Sequence, residues 1–152
     1  MNVHIRQATE DDLPAVLALY AQPGLDDGDV LSLDDARRVF AEFARYPKYR
    51  LFVACEGTAQ GPVIASYALL VMHNLAHRGA PSAVAEDVVV AFDRHGLGIG
   101  RRLMAHAMEQ AREAGCYKLA LSSNRTRADA HAFYESLGFA QHGLSFAIGV
   151  PQ

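Results

Sequence analysis

The segment that most limits the fold runs from Val84 to Arg102, where a β-branched run, a glycine-rich turn and an amphipathic stretch follow without a gap. Val88-Val89-Val90 predicts a strand buried on both faces. Gly96, Gly98 and Gly100 come next, then apolar positions at helical spacing from about Ile99 to Ala114, with Gly115 as a C-terminal cap. Glycines let backbone approach an anion closely, and the unpaired N–H groups of a helix start point at it. Strand, turn and helix in this order predict a phosphate cradle. A tight turn without a ligand is the plainer alternative, yet three glycines in five residues exceed what a turn requires. A P-loop would end in Gly-Lys-Ser/Thr, whereas Gly100 is followed by Arg101-Arg102. A dinucleotide-binding fold places its glycine turn after the first strand; this turn lies past mid-chain.

The flanking sequence supplies the other layers. Val3 and Ile5 alternate with polar neighbours as a short strand would, and Thr9 to Asp12 offer capping oxygens. Leu13, Val16, Leu17 and Tyr20 follow at helical spacing, with Pro14 in the first turn. A loop carrying Asp26, Asp27 and Asp29 leads to Ser32 and Asp35, the capping box of a second helix that stops before Pro47. Leu51–Cys55, Val63–Met72 and Val84–Ala91 read as strands, and Tyr117–Ser122 as another after the glycine-led helix. Thr126 and Asp129 cap a last helix ending at Leu137. Phe146, Ile148 and Val150 alternate as a closing strand. The sum is a mixed α/β sandwich of strand, two helices, three strands, helix, strand, helix and strand.

Composition narrows the class. The 152 residues suit one domain, 1–152, and 51% hydrophobic residues against a net charge of −3 exclude a disordered chain. No basic surplus supports nucleic-acid binding, so no nucleic-acid partner is expected. The start lacks an apolar signal core, and the run from Val63 to Met72 falls well short of a membrane span. Cys55 and Cys116 stand far apart in ordinary contexts, which predicts reduced thiols, no membrane association and a cytoplasmic protein. The seven histidines show no metal-ligand spacing, so no metal is expected. His106 and His131 read as helix-face residues.

His95-Gly96-Leu97-Gly98-Ile99-Gly100 resembles the acetyl-CoA pyrophosphate motif of the GNAT superfamily of N-acetyltransferases, with His95 where Arg or Gln is usual. Ala132-Phe133-Tyr134-Glu135-x-x-Gly138-Phe139 resembles that superfamily's second signature. The resemblance implies a mixed, mostly antiparallel central sheet flanked by about four helices. It also implies acetyl-CoA as co-substrate, bound by the backbone of Val88, Val89 and Val90, by His95, Gly96, Leu97, Gly98, Ile99, Gly100 and Arg101, and by Asn124 and Phe133. Homodimerisation is a further family expectation. Tyr134 would be the acid, since a phenol with a pKa near ~10 stays protonated at neutral pH and can donate to a thiolate. On helix pattern alone Tyr134 is a packing residue beside Phe133; the motif around it makes it a catalytic candidate.

Glu86 is the candidate base, directly or through water; a solvated strand end is the alternative. On a regular strand Glu86, Val88 and Val90 share one face and Asp87 points to the other, which predicts that the two carboxylates do not cooperate. Within the superfamily, Glu86-Asp87-Val88-Val89-Val90 and Gly115-Cys116-Tyr117-Lys118 resemble glucosamine-6-phosphate N-acetyltransferases. The stretch from Ser122 to Tyr134 is similar to aminoalkylphosphonate N-acetyltransferases. His73, Asn74 and Arg78, with Glu86 and Asp87, are accordingly the candidate contacts of a small-molecule amine that carries a phosphate or phosphonate. The acidic loop at Asp26, Asp27 and Asp29 would instead suit a polyamine. A protein or peptide acceptor, or an acyl-CoA-binding module without catalysis, completes the set of readings.

Overall fold

The computed structural model of the chain describes residues 2–122 and 127–152. The elements are β1 (Val3–Gln7), α1 (Leu13–Tyr20), α2 (Leu33–Phe43), β2 (Tyr49–Glu56), β3 (Val63–Met72), β4 (Ser82–Val90), α3 (Ile99–Glu113), β5 (Leu119–Leu121) and α4 (Ala128–Ser136). The five strands lie in sequence order in one sheet. The ladders β1–β2, β2–β3 and β3–β4 are antiparallel. One compact unit runs to Ala120, and a second comprises Leu121 to Gln152.

Local chemistry explains the first unit. Arg6 clamps Asp12 with two hydrogen bonds of 2.7 and 2.8 Å, while the Thr9 amide donates to the same carboxylate at 2.8 Å. These bonds fix the turn from β1 into α1 and hold the Asp12 carboxyl below its usual range. The Ser32 hydroxyl accepts from the Asp35 amide and starts α2, as its capping pattern predicts. Leu13 and Val16 of α1 and Ala36 of α2 pack with Leu51, Val53, Cys55 and Ala68 on one face of the sheet. On the opposite side α3 packs against β3 and β4, burying Ile99, Leu103, Met104, Ala107 and Ala111. That spacing is the apolar stripe of an amphipathic helix.

A polar group is built into the α3 side. The Tyr67 hydroxyl, on a fully buried side chain, lies 2.7 Å from His106 Nδ1. The Arg50 guanidinium sits over the Phe52 ring at 5.1 Å and donates to Gln110 Oε1 at 2.9 Å. His106 is thus a partner of the core and not merely a helix-face residue.

Two expectations fail. Val88, Val89 and Val90 are half-buried and not covered on both faces. Residues 146–150 form no strand, and Leu144, Phe146, Ile148 and Val150 are exposed. Alternation specifies a face but supplies no hydrogen-bond partner, and among the described residues no strand pairs with this segment. Thr126, expected as a helix cap, lies outside the described residues. No helix among the described residues is long and apolar enough to cross a membrane.

The buried imidazole makes stability depend on pH. Burial first, then the Arg50 charge, lowers the His106 pKa below its ordinary 6.5. The unfolded chain therefore takes up this proton first on acidification. The His106 contribution is fully present above about pH 6.5 and is lost as pH falls through the lowered folded value. Urea midpoints should fall between pH 8 and pH 5.5, and His106→Gln, which still accepts from Tyr67, should flatten that slope.

Candidate active site

The site is organised by a break in β4. Across the β3–β4 ladder Ser66 pairs with Val89, yet Ala68 pairs with Glu86, so β4 carries one residue more than its partner. That is a β-bulge, and Asp87 within it adopts φ +53°. Aspartate tolerates this left-handed conformation better than most residues, which β-branched Val88 would not. The bulge overturns the strict alternation expected from sequence. Glu86 lies opposite Ala68, and Ala68 opposite Leu51, which places Glu86 on the face covered by α1 and α2. Glu86 therefore shares its face with Val89 and not with Val90. The expected sharing of one face by Glu86, Val88 and Val90 is incorrect, because an inserted residue shifts the parity of every position beyond it. Burial first, then the Asp87 charge, raises the phenol pKa of Tyr20 in α1, and burial, then the charges of Asp87 and Glu86, raises that of Tyr49 in β2.

Asp87 differs chemically from its neighbour. Its residue surface is exposed, but loss of water around the carboxyl, reinforced by the Asp26 charge, pushes its pKa up. Glu86 is exposed on the same rim. Beside them Leu17, Tyr20, Asp26, Asp29, Val30 and Leu31 line an open cleft of about 330 Å³. The acidic loop is the alternative acceptor element expected from sequence, whereas Tyr20 and Tyr49 were not assigned to the site by pattern. Their apolar spacing makes the tyrosines look like core, and only the tertiary fold sets them against the bulge.

Beyond Val90 the chain makes a short 3-10 turn and enters the glycine segment. Gly96 and Gly98 have φ of +79° and +80°, and a side chain at either would meet no protein atom within 4 Å. Gly98 is the N-cap of α3 and provides no side-chain cap. Gly100 and Arg101 lie in the first helical turn, Ile99 is buried beneath it, and Leu97 is exposed. The helix start thus carries unclaimed N–H groups beside open space, the arrangement a pyrophosphate needs. Acetyl-CoA fits these residues. His95 turns back, its Nε2–H donating to the Val90 carbonyl at 3.1 Å.

In the second unit Gly138, at φ +97°, ends α4 and turns the chain back, so that the Phe139 amide donates to the Tyr134 carbonyl at 3.1 Å. The Tyr134 ring consequently lies between Phe133, 5.4 Å away, and Phe139, 5.9 Å away. Burial pushes the phenol pKa up, which keeps it protonated at neutral pH. Asn124 lies outside the described residues.

The other predicted acceptor residues sit elsewhere. The β3–β4 hairpin closes at the Met72–Ser82 pair, so His73, Asn74 and Arg78 lie at the hairpin end. Glu86 lies four residues along β4 from Ser82 of that pair, on the order of 13 Å at about 3.3 Å per residue. Asn74 Nδ2 is engaged by the Ala80 carbonyl at 2.9 Å, and the His77 ring packs on Tyr117 at 4.4 Å. The structure unites Glu86, Asp87 and Val88–Val90 but does not bring this loop to them. Among the described residues no cluster of His, Cys, Asp or Glu could hold a metal ion.

Comparison with known proteins agrees with this geometry. The profile of the acetyltransferase (GNAT) family matches residues 13–139. The aminoalkylphosphonate N-acetyltransferase of Salmonella typhimurium is 32% identical over 142 residues, covering 93% of this chain and 88% of the relative. The glucosamine 6-phosphate N-acetyltransferase of Trypanosoma brucei brucei is 28% identical over 150 residues, covering 93% and 92%. A solved structure described as a transcriptional regulator from Bacillus halodurans superposes with a TM-score of 0.89 at 29% identity, covering 98% and 100%.

The cradle can be tested at one glycine. Gly98→Ala adds a methyl group that meets no protein atom, at a backbone cost of roughly 1–2 kcal/mol in the left-handed conformation. Calorimetry should show acetyl-CoA binding at least tenfold weaker, about 1.4 kcal/mol, with the far-UV circular dichroism unchanged.

Proposed function

Since this chain belongs to the GNAT family and is an acetyl-CoA-dependent N-acetyltransferase, we propose that it acetylates the primary amine of a small molecule of the amino-sugar phosphate or aminophosphonate type. The observation that supports the chemistry is the β4 bulge, which interrupts the ladder at Asp87 and leaves Val88–Val90 half-buried between Glu86 and the uncapped start of α3. Bound acetyl-CoA supplies an activated acyl group on a thiol leaving group. Backbone groups of Val88 to Val90 hold its arm, and a backbone N–H there polarises the thioester carbonyl. Glu86 takes a proton from the substrate ammonium, directly or through water. The free amine then attacks the carbonyl carbon; an N–C bond forms and the C–S bond breaks. Tyr134 Oη–H delivers the proton that the departing thiolate needs, and the second proton lost by the nitrogen as the amide forms returns to the phenolate through solvent.

An acyl-enzyme has little support. A thiolate, not a thiol, is the nucleophile, and burial raises the pKa of both Cys55 and Cys116. Direct attack is the step that the available groups serve.

The phosphate-bearing class is supported by the names of two relatives and by Arg78 in the hairpin loop, a side chain able to bind such a group bidentately. One observation favours a second reading. The cleft beside Asp87 carries Asp26 and Asp29 and, among the described residues, no basic side chain, which suits a cationic acceptor such as a polyamine.

Two measurements test these roles. Tyr134→Phe keeps the ring and removes only the donor, so turnover should fall by roughly 10²-fold or more with acetyl-CoA affinity unchanged; equal turnover would return Tyr134 to packing alone. Glucosamine 6-phosphate and an aminoalkylphosphonate should exceed spermidine in kcat/KM, and Arg78→Ala should narrow the gap. Spermidine as the best acceptor, with Arg78→Ala neutral, would overturn the phosphate-bearing class in favour of the acidic cleft.

A further inference from the structure

Gln22 lies just past the end of α1, on the loop that carries Asp26 and Asp29. Its side chain leaves that loop and reaches the far end of β4. Oε1 accepts from the Phe92 amide at 2.7 Å, and Nε2 donates to the Val90 carbonyl at 3.2 Å. The orientation of the amide is not arbitrary, since a backbone N–H can only donate and a carbonyl can only accept. Glutamine is among the few side chains that offer both functions at one tip. The two backbone groups belong to the joint between the strand and the glycine segment. Packing does little to hold that joint, because the Phe92 side chain is 78% exposed. Its other ties include the Ala91 amide to the Ile64 carbonyl at 2.8 Å, the Arg94–Glu56 ion pair at 2.7 Å and the His95 ring on the Val90 carbonyl at 3.1 Å.

We propose that Gln22 is a positioning residue for acetyl-CoA: its amide pins Val90 and Phe92, and so fixes the end of β4 relative to the glycine cradle. This rests on the reading that Val88–Val90 and the start of α3 bind acetyl-CoA. The pantetheine arm and the pyrophosphate would be held on either side of the joint, so a joint free to rotate must be ordered during binding, and that ordering weakens affinity. The same amide joins the acceptor-side loop to the acetyl-CoA side, so the order of that loop and the affinity for acetyl-CoA are linked. The second occupant of the Val90 carbonyl is His95, 3.1 Å away, which uses the other lone pair.

The test compares Gln22→Met, which keeps length and loses both bonds, with Gln22→Glu. An ionised glutamate can still accept from Phe92 but sets an oxygen against the Val90 carbonyl. Protonated, it regains one donor and one acceptor and reproduces the amide. Coenzyme A binding is measured by calorimetry at pH 8 and pH 5, and exchange of the Phe92 amide by NMR, with Gly98→Ala as the control for the cradle. His95, Asp26 on the same loop and the Arg94–Glu56 and Asp93 charges beside the joint are common to all the proteins, and the uncharged Gln22→Met at both pH values serves as the reference for their contribution.

Gln22→Met should bind coenzyme A about fivefold to tenfold more weakly at both pH values and exchange the Phe92 amide at least tenfold faster. Gln22→Glu should show the same loss at pH 8 and return toward wild type at pH 5. Wild-type affinity in Gln22→Met while Gly98→Ala binds weakly would overturn the positioning role and leave the cradle standing. Equal loss in Gln22→Glu at both pH values would also overturn it, since a structural defect would not follow the carboxyl proton. Unchanged affinity in Gly98→Ala, or no binding by wild type, would overturn the cradle itself, with Phe92 exchange still reporting on the hydrogen bond.

Discussion

Burial of β3 on both faces is the constraint from which the rest of the first unit follows. Ala65, Ser66, Tyr67 and Leu69 are wholly inaccessible, and the strands on either side of β3 pair with it along nearly its full length. Helices must then cover the sheet from both sides, which α1 and α2 do on one and α3 does on the other. Polar atoms trapped in such a strand need partners. The Ser66 hydroxyl donates to the Phe52 carbonyl at 2.8 Å, and the Tyr67 hydroxyl is matched by His106. At β4, one strand further out, the pairing loosens and the chemistry begins.

The loosening has a definite geometry. One extra residue in β4, accommodated by Asp87 in a left-handed conformation, interrupts the ladder between Glu86 and Val89. An uninterrupted strand would aim adjacent carboxylates at opposite sides of the sheet. The bulge lets both act on the region of Tyr20 and Tyr49 while the following valines stay half-open. A strand covered on both faces would have no backbone to offer a ligand, so incomplete burial of Val88 to Val90 is a requirement of the site. The joint beyond Val90 inherits the same openness, and polar ties from Gln22, His95 and Arg94 replace the packing it lacks.

Much of this was legible in the residues. Val63–Met72 is observed with the bounds its apolar run predicts, Ser32 caps α2 through Asp35, and α3 begins at Ile99 after glycines at positive φ. The two signatures that carry the family resemblance also have local physical content. Gly96 and Gly98 are left-handed because the cradle turns there, and Gly138 is left-handed because Phe139 must fold back over Tyr134. Such features depend on a few neighbouring residues, and sequence records them directly.

Other features depend on partners remote in the chain, and no pattern announces them. Alternation at Phe146, Ile148 and Val150 promised a strand, but a strand exists only when another chain segment receives its hydrogen bonds. The parity of Glu86 and Asp87 followed from assuming an unbroken ladder, and the bulge is defined only against β3. Gln22 looks like an ordinary loop residue until its amide is seen 68 and 70 positions away at Val90 and Phe92. The sequence by itself determined most of the elements and the left-handed glycine turn, because short-range sterics and periodicity encode them, and its two signatures carried the resemblance that implies the class of reaction. Tertiary structure alone decided which residues share a face with Glu86, which tyrosines border the bulge and what holds the joint, because those are relations between strands and loops that meet only when the sheet is assembled.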